Sequence, residues 1–358
     1  MVNIYAELEK ILSAGKKAVL ARIIRQVGSA PRAMGTNFLV LEDRSPVGTI
    51  GGGAFEFQVI EKAKEIFSQG RSAILHFQLT GKEVAQTEML CGGIVDAYLE
   101  PVFPENAEAK KVFQKTNELL LQDNRGTLIT VVSEGLGFDS DSARMLVTAD
   151  GNITGSLEGV AGIDIAAIRK WAEVKSPTLF EPEAGQPAIF AEPIKPDNIL
   201  YLFGAGHIST FVAPLAKMVG FRVCVIDDRK EFASTGRFPD ADEIIVCPFS
   251  NAFKRINITS SSYIAIITRG HIHDRTVLRE SLQTAAVYIG MIGSLRKRKM
   301  IYQSLMEEGI DIKSLESVHS PIGMDIGAET PEEIAVSIVA ELVQQRAHKP
   351  VRKPPVKF

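Results

Sequence analysis

The chain has 358 residues, a length that points to two domains or three small ones. Hydrophobic residues make up 45% and charged residues 23%, ordinary values for a globular protein able to bury its own cores without staples. A formal net charge of -3 argues against general attraction to nucleic acid or anionic membrane, and three cysteines argue against a disulfide framework and for a reducing compartment.

The first segment, Met1 to Lys17, carries Glu7 and Glu9 among its apolar residues. It predicts an amphipathic helix rather than a signal peptide. No apolar run reaches membrane-spanning length, so a cytoplasmic protein without membrane or nucleic-acid partners is expected. Ala18–Ile24 and Phe38–Leu41 read as strands, separated by the loop Gly28-Ser-Ala-Pro-Arg-Ala-Met-Gly35. Three consecutive glycines, Gly51, Gly52 and Gly53, then open a predicted helix over Phe55–Gln69, whose apolar residues recur at the spacing of one helical face. Ile74–Leu79 alternates as a half-buried strand does, and Cys91-Gly92-Gly93 precedes a strand over Ile94–Leu99. A helix over Lys110–Leu121, a strand over Thr127–Val132 and a hairpin within Thr148–Gly155 continue the mixed pattern. Pro177, Pro182, Pro187, Pro193 and Pro196 block helix and central strand alike, which places a boundary near residue 195 and leaves Ala188–Ala191 as an edge strand at most.

Beyond it, strands are expected at 199–203, 222–226, 243–246, 263–267 and 287–291, with helical stretches between most of them. That alternation predicts a mostly parallel, doubly wound sheet. Thr330-Pro-Glu-Glu333 starts the last helix as a capping box with proline in the first turn. The expected organisation is an N-terminal mixed α+β domain over 1–195, a Rossmann-like domain over 196–345, and a tail over 346–358. That tail has five Lys/Arg, three prolines and no acid, and reads as solvated and disordered.

The strand ending at Phe203 runs into Gly204-Ala-Gly206-His207, and the next strand ends at Asp227, about twenty positions on. The glycine turn lets a backbone approach phosphate at a helix N-terminus, and Asp227 would accept a ribose hydroxyl. The third glycine of the usual fingerprint is replaced by Ser209, and Asp228 and Arg229 blur any choice between NAD and NADP. The alternative is an inherited scaffold with a remodelled cleft. His271, His273 and Asp274 fall at the carboxyl edge of the sheet; a metal site there would need a third ligand, so loop polarity with Asp274 capping the next helix is the preferred reading. Gly290-Met-Ile-Gly293-Ser294 followed by Arg296-Lys-Arg-Lys299 is a second anion site or a solvated basic face. Cys91, beside two glycines, is either a reactive thiolate for soft metal or sulfur, or a small buried residue. Cys224 and Cys247 sit among apolar residues as inert packing.

Gly28-Ser-Ala-Pro-Arg32, Gly48-Thr-Ile-Gly-Gly-Gly53 with Glu56, and Cys91-Gly-Gly93 with Glu100-Pro101 resemble the first domain of the XdhC/CoxI family. Gly204-Ala-Gly-His207, Asp227 to Arg229, His271 with Asp274, Tyr288 to Ser294, and Pro321 to Gly327 running into Thr330-Pro-Glu-Glu-Ile-Ala335 resemble its Rossmann domain. The ordered set covers nearly the whole chain. The family consists of accessory proteins for maturation of xanthine and carbon monoxide dehydrogenases. The resemblance implies a non-catalytic chaperone of purine catabolism that holds sulfurated molybdenum cofactor, works with a cysteine desulfurase and passes the cofactor to an apo-hydroxylase. Cys91, a candidate molybdenum ligand, and Gly51–Gly53 with Gly92 and Gly93 would face the molybdenum. Gly204, Gly206, His207, Asp227, His271, Asp274, Gly293 and Ser294 would face the phosphate or a nucleotide. Ligand pockets are common at interfaces between domains and between protomers, which makes a homodimer the expected form. Where the family commonly has a cysteine after the triple glycine, this chain has Ala54. The rival readings are an NAD(P)-dependent oxidoreductase with His207 or His271 as proton carrier, and a nucleotide-sensing regulator.

Overall fold

A computed structural model describes residues 3–28, 30–78, 93–139, 143–157, 165–181 and 187–347. The chain divides into two compact units, Met1–Pro196 and Asp197–Phe358.

The first unit runs α1 (Ile4–Ser13), β1 (Ala18–Val27), β2 (Asn37–Leu41), β3 (Pro46–Val47), α2 (Gly53–Gln69), β4 (Ala73–Gln78) and β5 (Ile94–Val102). It continues with α3 (Ala107–Leu121), β6 (Gly126–Val132), β7 (Arg144–Thr148), β8 (Ile153–Ser156), α4 (Ile165–Ala172), β9 (Thr178–Phe180) and β10 (Ala188–Ile194). The strands form two five-stranded sheets, β3-β2-β1-β5-β4 and β8-β7-β6-β10-β9. Every pairing is antiparallel.

Side-chain alternation decides the layering. Val19, Ala21 and Ile23 of β1 pack with Phe55, Val59, Ala63 and Ile66 of α2. Ala18 and Leu20, on the opposite face, pack with Leu128, Leu146 and Ile194 of the second sheet, joined by Leu8 of α1 and Phe113 of α3. The far face of the second sheet, with Ile129, Val131, Ile189 and Ala191, covers Trp171 of α4. The result is a helix–sheet–sheet–helix stack.

Ions lie inside that stack. Arg22 of β1 is 1% exposed, yet it shares the face of Leu20. Its guanidinium meets Glu192 of β10 at 3.1 Å and Glu100 of β5 at 3.7 Å, and donates to Thr130 of β6 at 3.0 Å and Asn37 at 2.8 Å. Arg144 of β7 pairs with Glu100 at 2.9 Å. Burial raises the pKa of the Glu192 carboxyl although Arg22 opposes that rise.

One strand departs from expectation. β10 is interior, paired with both β6 and β9, not an edge. The proline rule still holds locally. β9 pairs only with Ile189–Ala191, so Pro193 has a strand neighbour on one side alone, where a missing N–H is tolerated.

The second unit runs β11 (Ile199–Phe203), α5 (His207–Met218), β12 (Arg222–Asp227), β13 (Glu243–Val246), α6 (Phe249–Ala252), β14 (Ser262–Ile266), α7 (His271–Ser281), β15 (Tyr288–Met291), α8 (Leu295–Glu307), α9 (Ile312–Glu316) and α10 (Pro331–Arg346). Its sheet is parallel in the order β13-β12-β11-β14-β15, the 3-2-1-4-5 order of dinucleotide-binding folds. Both faces are buried, which explains the nearly continuous apolar runs. Leu200, Leu202, Val223 and Val225 pack under Val212 and Ala216 of α5 and Ile338 and Leu342 of α10. Tyr201, Phe203, Ile226 and Ile264 pack under Val277 of α7, Ile301 and Leu305 of α8, and Leu315 of α9. Cys224 and Cys247 are buried, and burial pushes the Cys224 thiol up to about 12. Thr330 and Glu333 form the expected capping box. A parallel bridge between Gly290 and His319 adds a sixth position beyond β15. Glu341 of α10, fully buried, accepts from Tyr288 at 2.7 Å, His319 at 2.9 Å and the Gly323 N–H at 2.7 Å, anchoring the 319–323 segment. Burial works to raise its pKa, but those three hydrogen bonds win and hold it near about 2.

Candidate ligand-binding site

In the second unit the polar residues collect where the parallel strands end, the edge at which such folds bind ligands. Gly204 has φ +109°, and a Cβ there would stand 2.2 Å from the Ile267 carbonyl oxygen, so only glycine lets β11 turn against the end of β14. Gly206 is different. It caps α5 with φ -72°, and a Cβ there would meet nothing within 4 Å. Nothing in the described chain demands glycine at 206, and the space is open for a ligand. Ser209, in place of the third glycine, is buried and donates its hydroxyl to the Gly204 carbonyl, so it locks the turn. His207 opens α5, exposed, with its ring edge on Phe211.

Asp227 is 1% exposed and fully engaged. Its Oδ2 accepts from the Ala205 N–H at 2.8 Å and from Arg229 Nη2 at 3.0 Å; its Oδ1 accepts from Arg229 N at 3.0 Å and Nε at 2.9 Å. Burial alone would raise its pKa, but Arg229 and the Ala205 N–H bring the net shift down. A ribose hydroxyl would have to displace Arg229 to reach this carboxylate. The same residues that a fingerprint assigns to a nucleotide here hold the turn to β12.

A second place lies between the N-terminal ends of α7 and α8. Gly270, His271, Ser294, Arg296, Lys297 and Met300 line an open cleft of about 360 Å³. Ser294 caps α8 by accepting the Lys297 N–H, and Gly293 precedes it with φ +153°. Asp274 does not cap α7, contrary to the sequence expectation. The helix begins at His271 behind an extended Gly270, and Asp274 lies inside the first turn, completely buried. Its carboxylate accepts from Thr268 at 2.6 Å and pairs with Lys297. Of the four basic residues of α8, Arg298 donates to the Ser320 carbonyl at 2.6 Å, Lys297 meets Asp274, and Arg296 and Lys299 are exposed. Two helix N-termini and the cations at the cleft favour an anion. Among the described residues, no group of three or more His, Cys, Asp or Glu is placed to hold a metal.

In the first unit, Gly51, Gly52 and Gly53 all have positive φ. Glu56, one turn into α2, accepts from Thr49 Oγ1 at 2.7 Å and from the N–H groups of Ile50 and Gly52, both at 3.1 Å, so the loop is braced by a carboxylate at the helix start. Pro31 of the Gly28–Gly35 loop fills the space beside Gly51, where a Cβ would come within 2.7 Å of its ring. Gly52 faces open space, and Ala54 is half-buried. Gly93 is buried just before β5, while Cys91 and Gly92 lie outside the described residues. Lys297 and Asp228 were noted in the sequence within the basic run and beside Asp227, but their pairings with Asp274 and with Arg269, and Arg269 itself, escaped it. Only their proximity to the strand ends could have flagged them.

The second unit is a Rossmann-type sheet with polar groups gathered at its carboxyl edge, where folds of this class place their ligands. Comparison with known proteins narrows the class. Residues 200–342 match the XdhC Rossmann domain and residues 11–78 match the XdhC and CoxI family, so the chain belongs to that family. It is 27% identical over 349 residues to a Bacillus subtilis protein described as a probable xanthine dehydrogenase component, covering 97% of this chain and 98% of that one. It is 21% identical over 339 residues to the Escherichia coli molybdenum cofactor insertion chaperone PaoD, covering 94% and 86%. A crystal structure of a xanthine dehydrogenase from Bacillus halodurans superposes with a TM-score of 0.79 at 26% identity, covering 98% of each chain. Among the described residues no helix is long and apolar enough to cross a membrane.

Proposed function

We propose that this protein is a maturation factor that holds molybdenum cofactor in its sulfurated form and aids its insertion into an apo xanthine dehydrogenase-type hydroxylase. A cysteine desulfurase supplies the sulfur, and the working form is a homodimer in the cytoplasm. Likeness along nearly the whole chain to a cofactor insertion chaperone supports this reading. The observation that carries it is the closed hydrogen-bonding shell of Asp227, which leaves no acceptor for the ribose of a dinucleotide laid out as in NAD enzymes.

The residues present suit such a cofactor. Bound, it supplies a dithiolene-held molybdenum and a phosphate. Gly52 and Gly206 leave backbone open to a bulky ligand, and a Cβ at either would intrude on that space. Arg296 and Lys297, with the N-termini of α7 and α8, would neutralise the phosphate beside His271 and Ser294, while Gly293 turns the chain into α8 and buried Asp274 holds Lys297 in place. Glu56 would keep the Gly51–Gly53 loop in place near the molybdenum, with Cys91 as its ligand. An NAD(P)-dependent oxidoreductase or nucleotide-sensing regulator is the second reading, favoured by the strand order alone.

Anaerobic purification followed by metal analysis and oxidised-pterin fluorescence tests the proposal. Cys91→Ala should lower retained molybdenum several-fold at an unchanged melting temperature. Unchanged retention would remove Cys91 from the site, and absence of pterin from the wild-type protein after coexpression with an active cofactor pathway would refute the chaperone itself.

A further inference from the structure

The buried charges between the two sheets of the first unit reach a loop that touches the triple glycine. Asn37 opens β2 and stands inside that network. Its Oδ1 accepts from Arg22 Nε at 2.8 Å, and its Nδ2 donates to Glu192 at 2.8 Å. The same Nδ2 lies 3.4 Å from the Gly35 carbonyl, where the Gly28–Gly35 loop ends. That end of the loop has further anchors. The Gly35 N–H donates to the Ile23 carbonyl at 2.8 Å, and Met34 packs against Ile24, Tyr98, Val132 and Phe190. Gly35, at φ +85°, lies so close to Pro177, just before β9, that a Cβ has no room. Residues of both sheets therefore grip the loop. Four residues before Gly35, Pro31 fills the space beside Gly51. A continuous path of contacts runs from Glu192 on β10 through Asn37 and the loop to the glycines that open α2.

A network that only joined the sheets would end on strand residues, as the hydrogen bond from Arg22 to buried Thr130 does. The Asn37 branch leaves the strands and ends on a loop. We infer that Asn37 is a positioning residue for the ligand site of the first unit. Held between Arg22 and Glu192, it fixes the Gly28–Gly35 loop, which seats Pro31 against Gly51 and sets where the Gly51–Gly53 backbone stands. An amide suits the place, because one side chain offers an acceptor to the cation and a donor to the carboxylate. Outer residues that orient a binding loop change affinity without touching the ligand. The inference rests on the cofactor reading for which ligand meets those glycines.

Three variants of the full chain test it, each coexpressed with an active cofactor pathway. Asn37→Ser removes both arms, and Asn37→Asp keeps the acceptor for Arg22 but sets a second carboxylate against Glu192. Thr130→Val removes a hydrogen bond of the same Arg22 with no tie to the loop. Both Asn37 variants should retain roughly tenfold less molybdenum per folded chain. They should also speed exchange of the Ile50 and Gly52 amides, which donate to Glu56. Thr130→Val should lower the melting temperature yet leave retention and those amides as in the wild type. An equal loss of molybdenum in Thr130→Val would reduce the network to a stability effect and overturn the inference. Wild-type retention in both Asn37 variants would overturn it too. A wild-type chain that holds no molybdenum defeats the chaperone reading by itself, and exchange then decides this one. Ile50 and Gly52 amides that Asn37→Ser leaves unmoved would sink it; faster exchange upholds it.

Discussion

The two units bury charge for opposite reasons. In the first, Arg22, Arg144, Glu100 and Glu192 lie between two sheets, where an all-apolar seam would pack as well. Four ions there fix which strand faces which, because each has a partner on a different strand. In the second unit the sheet faces are apolar; the buried carboxylates Asp227 and Asp274 hold turns at the carboxyl edge, and Glu341 anchors the 319–323 segment beside β15. Charge inside the first unit ties strands of two sheets together; charge inside the second ties turns and loops to the sheet.

Removing one member of the first network should have the largest effect. Arg22→Ala removes the cation paired with buried Glu192 and leaves Glu100 with Arg144 alone, and should cost about 3–5 kcal/mol. The chain's single tryptophan, Trp171, lies in this unit, so urea unfolding followed by its fluorescence reports the loss. A change below about 1 kcal/mol would mean the ions are bystanders.

The second unit separates a glycine that is needed by the chain from one that is not. Gly204→Ala drives a Cβ into the Ile267 carbonyl at a positive φ and should cost about 3 kcal/mol, whereas Gly206→Ala should stay within about 0.5 kcal/mol. Amide hydrogen exchange in β11 and β14 distinguishes them. Equal protection in both variants would erase the contrast.

Glu341 gives a smaller, pH-dependent effect. Its folded pKa, near about 2, lies below the ordinary carboxylate value. Its stabilisation is therefore fully present above that ordinary value and is lost as pH falls toward about 2. With solvent near the partly exposed His319, the loss should be roughly 2 kcal/mol. Glu341→Gln should flatten this acid limb in the exchange of β15 and α10 amides; an unchanged limb would assign the acid loss to other groups.

How much of this could be read from the sequence follows the same division. The five parallel strands were legible because both faces of that sheet are apolar and turn residues punctuate them. The capping box at Thr330 was legible because its signal is local. Arg22 and Glu192 were not, since a charge in an alternating strand reads as solvent-facing until a second sheet covers it. β10 was misplaced because Pro193 suggested an edge, when only the chain beyond β9 is unpaired. Asp227 was singled out by its spacing from the glycines, but Arg229, two positions on, occupies its carboxylate, and that pairing has no signal in the spacing. The sixth sheet position at His319 rests on one bridge and Glu341, contacts that no periodicity encodes.

The most direct measurement is an anaerobic titration of the purified protein with freshly released molybdenum cofactor, with NADH and NADPH in parallel. Tight cofactor binding and weak or absent binding of both dinucleotides is the predicted result. Clear dinucleotide binding without cofactor binding would contradict it and make Asp227 a ribose reader after all.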